Sequence, residues 1–185
     1  MKTTVFLVGF MGCGKSTLGA ELASQAGVPF IDLDEYIERE YGMSVQGIFA
    51  TLGEAAFRQA ETAALTAVAT TGAVVATGGG TPCHGDNMAT MNAGGITVWL
   101  TAPVDVITRR LLIPEQRAKR PLLNGLSATE IENFVRQSLE KRRPYYGLAQ
   151  MHFDSTDIET ATATRRTATA LLNELKRTTE HQEGR

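Results

Sequence analysis

The stretch Thr4-Val5-Phe6-Leu7-Val8-Gly9-Phe10-Met11-Gly12-Cys13-Gly14-Lys15-Ser16-Thr17 decides the reading of this chain. Its first five residues form a short apolar run of strand type. From Lys15 to about Ala26, Leu18, Leu22 and Ala26 recur four apart on one helix face. Between them, Gly9 to Ser16 fit the spacing G-x-x-x-x-G-K-[ST], in the strand-then-helix context that gives the pattern its meaning. Glycines at 9, 12 and 14 let the backbone curl until successive N–H groups point inward, and the positive end of the following helix faces the same space. Such a cradle binds nucleotide phosphates: Lys15 reaches the β- and γ-phosphates, and the Ser16 hydroxyl ligates magnesium. The bland alternative is a glycine-rich turn with a surface lysine. Cys13 fills a variable position of the pattern; a helix N-terminus nearby would make its thiol reactive without making it catalytic.

Working outward, further short apolar runs at Val28 to Asp32, Ala73 to Thr77, Ile96 to Leu100 and Met151 to Asp154 alternate with segments of helical period. That alternation predicts an α/β fold with a five-stranded parallel sheet covered by helices on both faces. The crossover from Asp34 to Gly72 is long and reads as several helices around Tyr41-Gly42, an insertion suited to a substrate pocket. Asp105 to Leu112 reads as helix. Ile113 to Gly125 loses periodicity and gathers Pro114, Pro121 and Gly125, the marks of a mobile loop. Ser127-Ala128-Thr129-Glu130 is a capping-box pattern opening a helix with Ile131, Phe134, Val135 and Leu139 on its buried face. A last helix keeps Ala161, Ala168, Leu171, Leu172 and Leu175 on one side, and a frayed tail is expected from Thr178. The result is one domain over 1–178, with an insertion at 34–72, a lid at 112–125 and a flexible tail at 179–185.

Composition narrows the function classes. Among 185 residues, 18 basic and 20 acidic ones give a net charge of −2, so no global field favours nucleic acid or an anionic membrane. A hydrophobic content of 43% excludes general disorder. The two cysteines, Cys13 and Cys83, suit a reducing cytosol and lack zinc-site spacing. Lys2 with the apolar run Val5 to Met11 is a poor signal peptide, better explained as a strand leading into the glycine-rich turn, and no run approaches the ~20 apolar residues of a membrane span. A cytoplasmic protein is expected.

Asp32 and Asp34 end the second run. Two apart on a strand, they would point to the same side with Cα atoms roughly 6.5 to 7 Å apart. One could hold magnesium or its water while the other meets an incoming hydroxyl, the division of labour that phosphoryl transfer calls for; an Asp34 helix cap is the alternative. Arg142 lies about 20° from Ile131 at ~100° per residue, on the apolar stripe of its helix, where a guanidinium needs an anion. Arg58, three residues before Glu61, can be fixed by that carboxylate, although an ordinary surface pair would look the same. Two inward guanidiniums suggest a small acceptor bearing a carboxylate. Gly78, Gly79 and Gly80 follow the third strand, where side chains would block a close-lying ligand. Arg109 to Arg120 holds five basic residues and one acid, charge suited to a lid over triphosphate. It has no interleaved aromatics for stacking nucleic-acid bases.

Taken in order, Gly9 to Thr17, Asp32 with Asp34, Phe57-Arg58 with Glu61, Thr77 with its three glycines, Arg120-Pro121-Leu122-Leu123, and Lys141-Arg142 followed by Pro144 and Tyr145 resemble the shikimate kinases. The resemblance covers nearly the whole chain and implies a three-layer α/β/α P-loop NTPase fold. It also implies ATP-dependent phosphorylation of the 3-hydroxyl of shikimate, with magnesium, by a monomer. By matched position, Gly12, Cys13, Gly14, Lys15, Ser16 and Thr17 would bind ATP, and Ser16 and Asp32 would serve the metal. Asp34, Arg58, Gly78, Gly79, Gly80 and Arg142 would meet shikimate. Arg120 would reach the ATP phosphates from the lid and Arg110 would lie along the adenine; Lys15, Asp34 and Arg120 would carry catalysis. One departure stands out: Ser155-Thr156-Asp157-Ile158 occupies the place where some relatives cover the adenine with an arginine. Rival readings are another small-molecule kinase, acting on gluconate or a nucleotide, or a non-catalytic nucleotide switch. Against a GTPase switch, the chain has neither N-K-x-D nor D-x-x-G.

Overall fold

β1 (Thr4–Val8) is buried along its whole length, and its alternation divides the core. Val5 and Leu7 face one hydrophobic cluster and Phe6 and Val8 another. A computed structural model of the chain describes residues 3–118 and 120–183. β1 lies at the centre of a five-stranded sheet ordered β2-β3-β1-β4-β5, with β2 (Phe30–Asp32), β3 (Val74–Ala76), β4 (Gly95–Thr101) and β5 (Met151–Asp154). Every pairing is parallel, including Leu7 opposite Ala76 and Val98.

On one face, α1 (Lys15–Ala26) packs with α8 (Ala161–Glu183) through Leu18, Leu22, Ala168 and Leu171. On the other lie α2 (Leu33–Tyr41), α3 (Val45–Val68) and α4 (Asn87–Gly94). The 34–72 insertion is thus two helices. The second is bent at Gly53, whose φ of 84° and ψ of 170° are not helical. α5 (Val104–Leu112) and α7 (Ala128–Tyr146) enclose a third cluster around Phe10, Leu111, Ile131 and Val135. The capping box is present: Ser127 Oγ accepts from Glu130 N, and Glu130 Oε2 accepts from Ser127 N.

Three expectations need correction. The 113–125 segment is not all loop: it holds α6 (Pro114–Ala118), a one-turn 3-10 helix over Pro121–Leu123, and a buried Leu123. Proline at the first helical position costs no hydrogen bond there, so Pro114 and Pro121 start turns instead of preventing them. Residue 119 of the lid range lies outside the described residues. α8 continues to Glu183, past the point where a tail was expected, and 184–185 also lie outside the described residues. Ala161 is exposed; Ala163 and Thr164 are buried in its stead.

Candidate active site

The carboxyl ends of β1, β2 and β3 converge on a cavity of about 680 Å³, the usual ligand position on an open parallel sheet. Gly12, Gly14, Lys15, Ser16 and Thr17 line one end, and Asp32, Asp34, Gly78 and Gly79 the other. The loop between β1 and α1 needs its glycines: Gly9, Gly12 and Gly14 have φ of 140°, 79° and 93°. A Cβ on Gly14 would lie 2.1 Å from Ile158 Cδ1. Gly14 is also the N-cap of α1, with no side-chain cap, so the first-turn N–H groups are available to an anion.

Lys15 is 8% exposed, and its Nζ donates to Gly9 O at 2.8 Å and Phe10 O at 3.0 Å. The ammonium is folded onto its own loop, and engaging a phosphate means exchanging those carbonyls for it. Cys13 turns its side chain into the core beside Val5 and Leu7, so the thiol is sheltered, contrary to the expectation of reactivity.

Ser16 Oγ donates to Asp32 Oδ2 at 2.7 Å, and Asp34 N donates to Asp32 Oδ1 at 3.1 Å. Asp32, not Asp34, is therefore the cap of α2, and Asp34 sits in the first helical turn instead of two along a strand. Both still reach the cavity, because the chain turns inward at the cap. Asp34 Oδ1 is buried without a partner. Burial first, then the nearby charges of Asp32 and Glu61, raise the Asp34 carboxyl from its ordinary 3.8 to about 6, against the pull of Lys15.

The glycine turn fits between side chains. A Cβ on Gly78 would lie 2.8 Å from Thr81 Oγ1 and 3.0 Å from Asp34 Oδ1; one on Gly79 would lie 3.4 Å from Arg142 Nη1. Arg58 Nη1 donates to Glu61 Oε2 at 2.6 Å, while its Nε and Nη2 donate to Glu54 Oε1 at 3.3 and 3.1 Å. Glu61 is 1% exposed and also accepts from the Thr81 hydroxyl. Arg142 Nη1 donates to Gly79 O at 3.0 Å, and its guanidinium lies 5.4 Å from the centre of the Phe10 ring. Arg58, Gly80 and Arg142 flank the turn and are not on the wall of the large cavity.

Arg110 Nε donates to Glu159 Oε1 at 2.8 Å, Nη1 to Gly12 O at 3.1 Å, and Nη2 to Ser155 O and Thr156 O at 3.0 and 2.9 Å. Arg120 is on the cavity wall and donates to Gln116 O and, at 3.0 Å, to Gln116 Oε1; burial lowers its pKa. Sequence reasoning missed Tyr146, whose hydroxyl donates to Gly79 O at 2.6 Å. Its signal was there: four residues beyond Arg142, it shares that helix face. Burial pushes its phenol well above the ordinary value.

No cluster of three or more His, Cys, Asp or Glu suited to a metal occurs among the described residues. The Ser16–Asp32 pair instead fits an ion such as magnesium, which takes one or two protein oxygens and completes its shell with water and phosphate.

Residues 11–176 match the family model described as shikimate kinase. The chain belongs to the shikimate kinase family. The shikimate kinase of Parabacteroides distasonis is 46% identical over 169 residues, 91% of this chain and 96% of that one. A crystal structure of shikimate kinase from Bacteroides thetaiotaomicron has a TM-score of 0.89 at 42% identity, covering 94% of this chain and 98% of that one. Shikimate kinase from Acinetobacter baumannii in complex with shikimate has a TM-score of 0.79 at 34% identity, covering 95% and 94%. A gluconokinase from Sinorhizobium meliloti, at 19% identity and a TM-score of 0.58, shares the fold alone. The parallel sheet with flanking helices is the P-loop NTPase-like architecture of the shikimate kinase family. No helix among its described residues is long and apolar enough to cross a membrane.

Proposed function

We propose that the chain phosphorylates the 3-hydroxyl of shikimate with ATP, giving shikimate 3-phosphate and ADP for aromatic amino-acid biosynthesis. One observation carries the reading: a buried carboxylate with an unpartnered oxygen, Asp34 Oδ1, lies where the phosphate cradle meets a glycine turn flanked by two arginines. Neither a nucleotide switch nor a passive binding module needs a proton acceptor there.

In this mechanism the N–H groups of Gly12 to Thr17 hold the β- and γ-phosphates, with Lys15 moving from its loop carbonyls onto them. Ser16 and Asp32 would hold magnesium, which when bound neutralises phosphate charge. Arg58 and Arg142 hold the acceptor's carboxylate and aim its hydroxyl inward. The hydroxyl oxygen attacks the γ-phosphorus as the bond to the β,γ-bridging oxygen breaks, and Asp34 takes the hydroxyl proton. Arg120, brought by the lid, meets the developing charge, and Arg110 borders the adenine. Two free cysteines are consistent with a cytoplasmic enzyme, and we take it to act as a monomer.

The test is ADP release by the purified protein with ATP, magnesium and shikimate, with gluconate and a nucleoside monophosphate as competing acceptors. Turnover on shikimate alone is expected. Turnover on another acceptor with none on shikimate overturns the reading.

A further inference from the structure

Arg58 is gripped at opposite edges of its guanidinium. Glu61, deep in the core, takes Nη1 at 2.6 Å, and Glu54, 62% exposed, takes the Nε/Nη2 edge through one oxygen at 3.3 and 3.1 Å. Neither carboxylate bridges Nη1 and Nη2. A Cβ on Gly80 would lie 3.2 Å from Nη1, 3.4 Å from Nη2 and 3.6 Å from Cζ, so the bare backbone of Gly80 lets the guanidinium pack closely against the glycine turn. A planar group held only at Nη1 can pivot about that contact; a second anchor at the Nε edge prevents it. The rings of Phe49 and Phe57, 5.9 and 5.4 Å from Cζ, leave the guanidinium edges to the carboxylates.

Glu54 follows Gly53, where α3 bends. The bend makes Glu54 the first residue of the straight segment that carries Arg58 and Glu61, so all three share one rigid frame. By energy alone Glu54–Arg58 is an ordinary exposed pair at i,i+4. Its consequence is geometric.

We propose that Glu54 is a positioning residue for the acceptor: it fixes the roll of Arg58 about its contact with Glu61, so that the guanidinium is held in one orientation for the acceptor carboxylate. This rests on the reading of Arg58 as a carboxylate ligand, and the experiment separates the two. The acceptor KM, its dissociation constant by titration calorimetry, kcat and the KM for ATP are measured for the parent enzyme, Glu54→Ala, Glu54→Gln, Arg58→Ala and the double variant Glu54→Ala/Arg58→Ala. Thermal midpoints accompany each measurement.

Glu54→Ala should raise acceptor KM and dissociation constant about three- to ten-fold, the size of one ordinary hydrogen bond. Its kcat, ATP KM and midpoint should be unchanged. Glu54→Gln, which keeps an acceptor oxygen, should show a smaller rise. Once Arg58 is gone, removing Glu54 should add nothing, a coupling that a merely structural role does not produce. Unchanged acceptor affinity in Glu54→Ala, or the full Glu54 effect persisting on top of Arg58→Ala, overturns the proposal while leaving the Arg58 reading intact. Unchanged affinity in Arg58→Ala overturns both.

Discussion

At the end of the cavity that we assign to phosphate, the construction is of main chain: three glycines in backbone conformations other residues avoid, and a helix start left uncapped. At the acceptor end it is made of side chains from elements far apart in sequence: Asp34 on α2, Arg58 and Glu61 on α3, and Arg142 and Tyr146 on α7, gathered around one glycine turn. The first construction depends on what residues must not have, the second on where long side chains are held. Changes at the cradle should therefore damage folding and nucleotide binding together, whereas changes at the acceptor end should separate chemistry from affinity and from stability.

Asp34→Asn tests that separation most severely. Loss of the proton acceptor should lower kcat by about 10² to 10⁴, with ATP affinity little changed; near-normal turnover would remove Asp34 from that role. The same variant should be the more stable protein at neutral pH. The folded carboxyl titrates at about 6, above its ordinary 3.8. The stability this group supplies is then full below pH 3.8 and lost as pH rises through about 6. Ionised and buried, it costs on the order of 3 kcal/mol. Denaturant unfolding of Asp34→Asn and parent should agree below about pH 4, separate progressively between about pH 4 and 6, and stay apart above it. In the parent, kcat/KM should fall as pH drops below about 6, reporting the free enzyme's base.

Gly14→Ala comes next. A φ of 93° and a 2.1 Å approach to Ile158 should cost about 1 to 3 kcal/mol of stability and lower ATP affinity as well. A variant that lost only one of the two would break the claim that cradle folding and binding are inseparable. Arg142→Ala should raise acceptor KM substantially, by about 2 kcal/mol or more if its pairing with the acceptor is desolvated, without changing ATP affinity. Tyr146→Phe is the mildest: Gly79 O keeps its bond from Arg142, so about 1 kcal/mol of stability and a small rise in acceptor KM are expected. A Tyr146→Phe effect as large as that of Arg142→Ala would mean that the phenol, not the guanidinium, holds the turn.

The contrast also explains what could be read without coordinates. The cradle is local: pattern, strand before and helix after all fall within Thr4 to Ala26, and α1 begins and ends where its periodicity says. The Arg58–Glu61 pair was legible for the same reason, being one helical turn apart. Asp34 was assigned to the right cavity through the wrong element, because which of two nearby acids caps a helix depends on side-chain rotation that spacing does not encode. α6 is too short for a period to register, and two prolines there looked like breakers when they were starters. Tyr146 was passed over, since its meaning lies in a carbonyl 67 residues away.

Arg110 offers a last consequence. After β5 it grasps Ser155 and Thr156 by their carbonyl oxygens, and at the cradle it grasps Gly12 the same way. A grip on peptide groups is indifferent to which amino acids carry them. The main chain at 155 and 156 is thereby tethered to the nucleotide loop through contacts that call on neither residue's side chain.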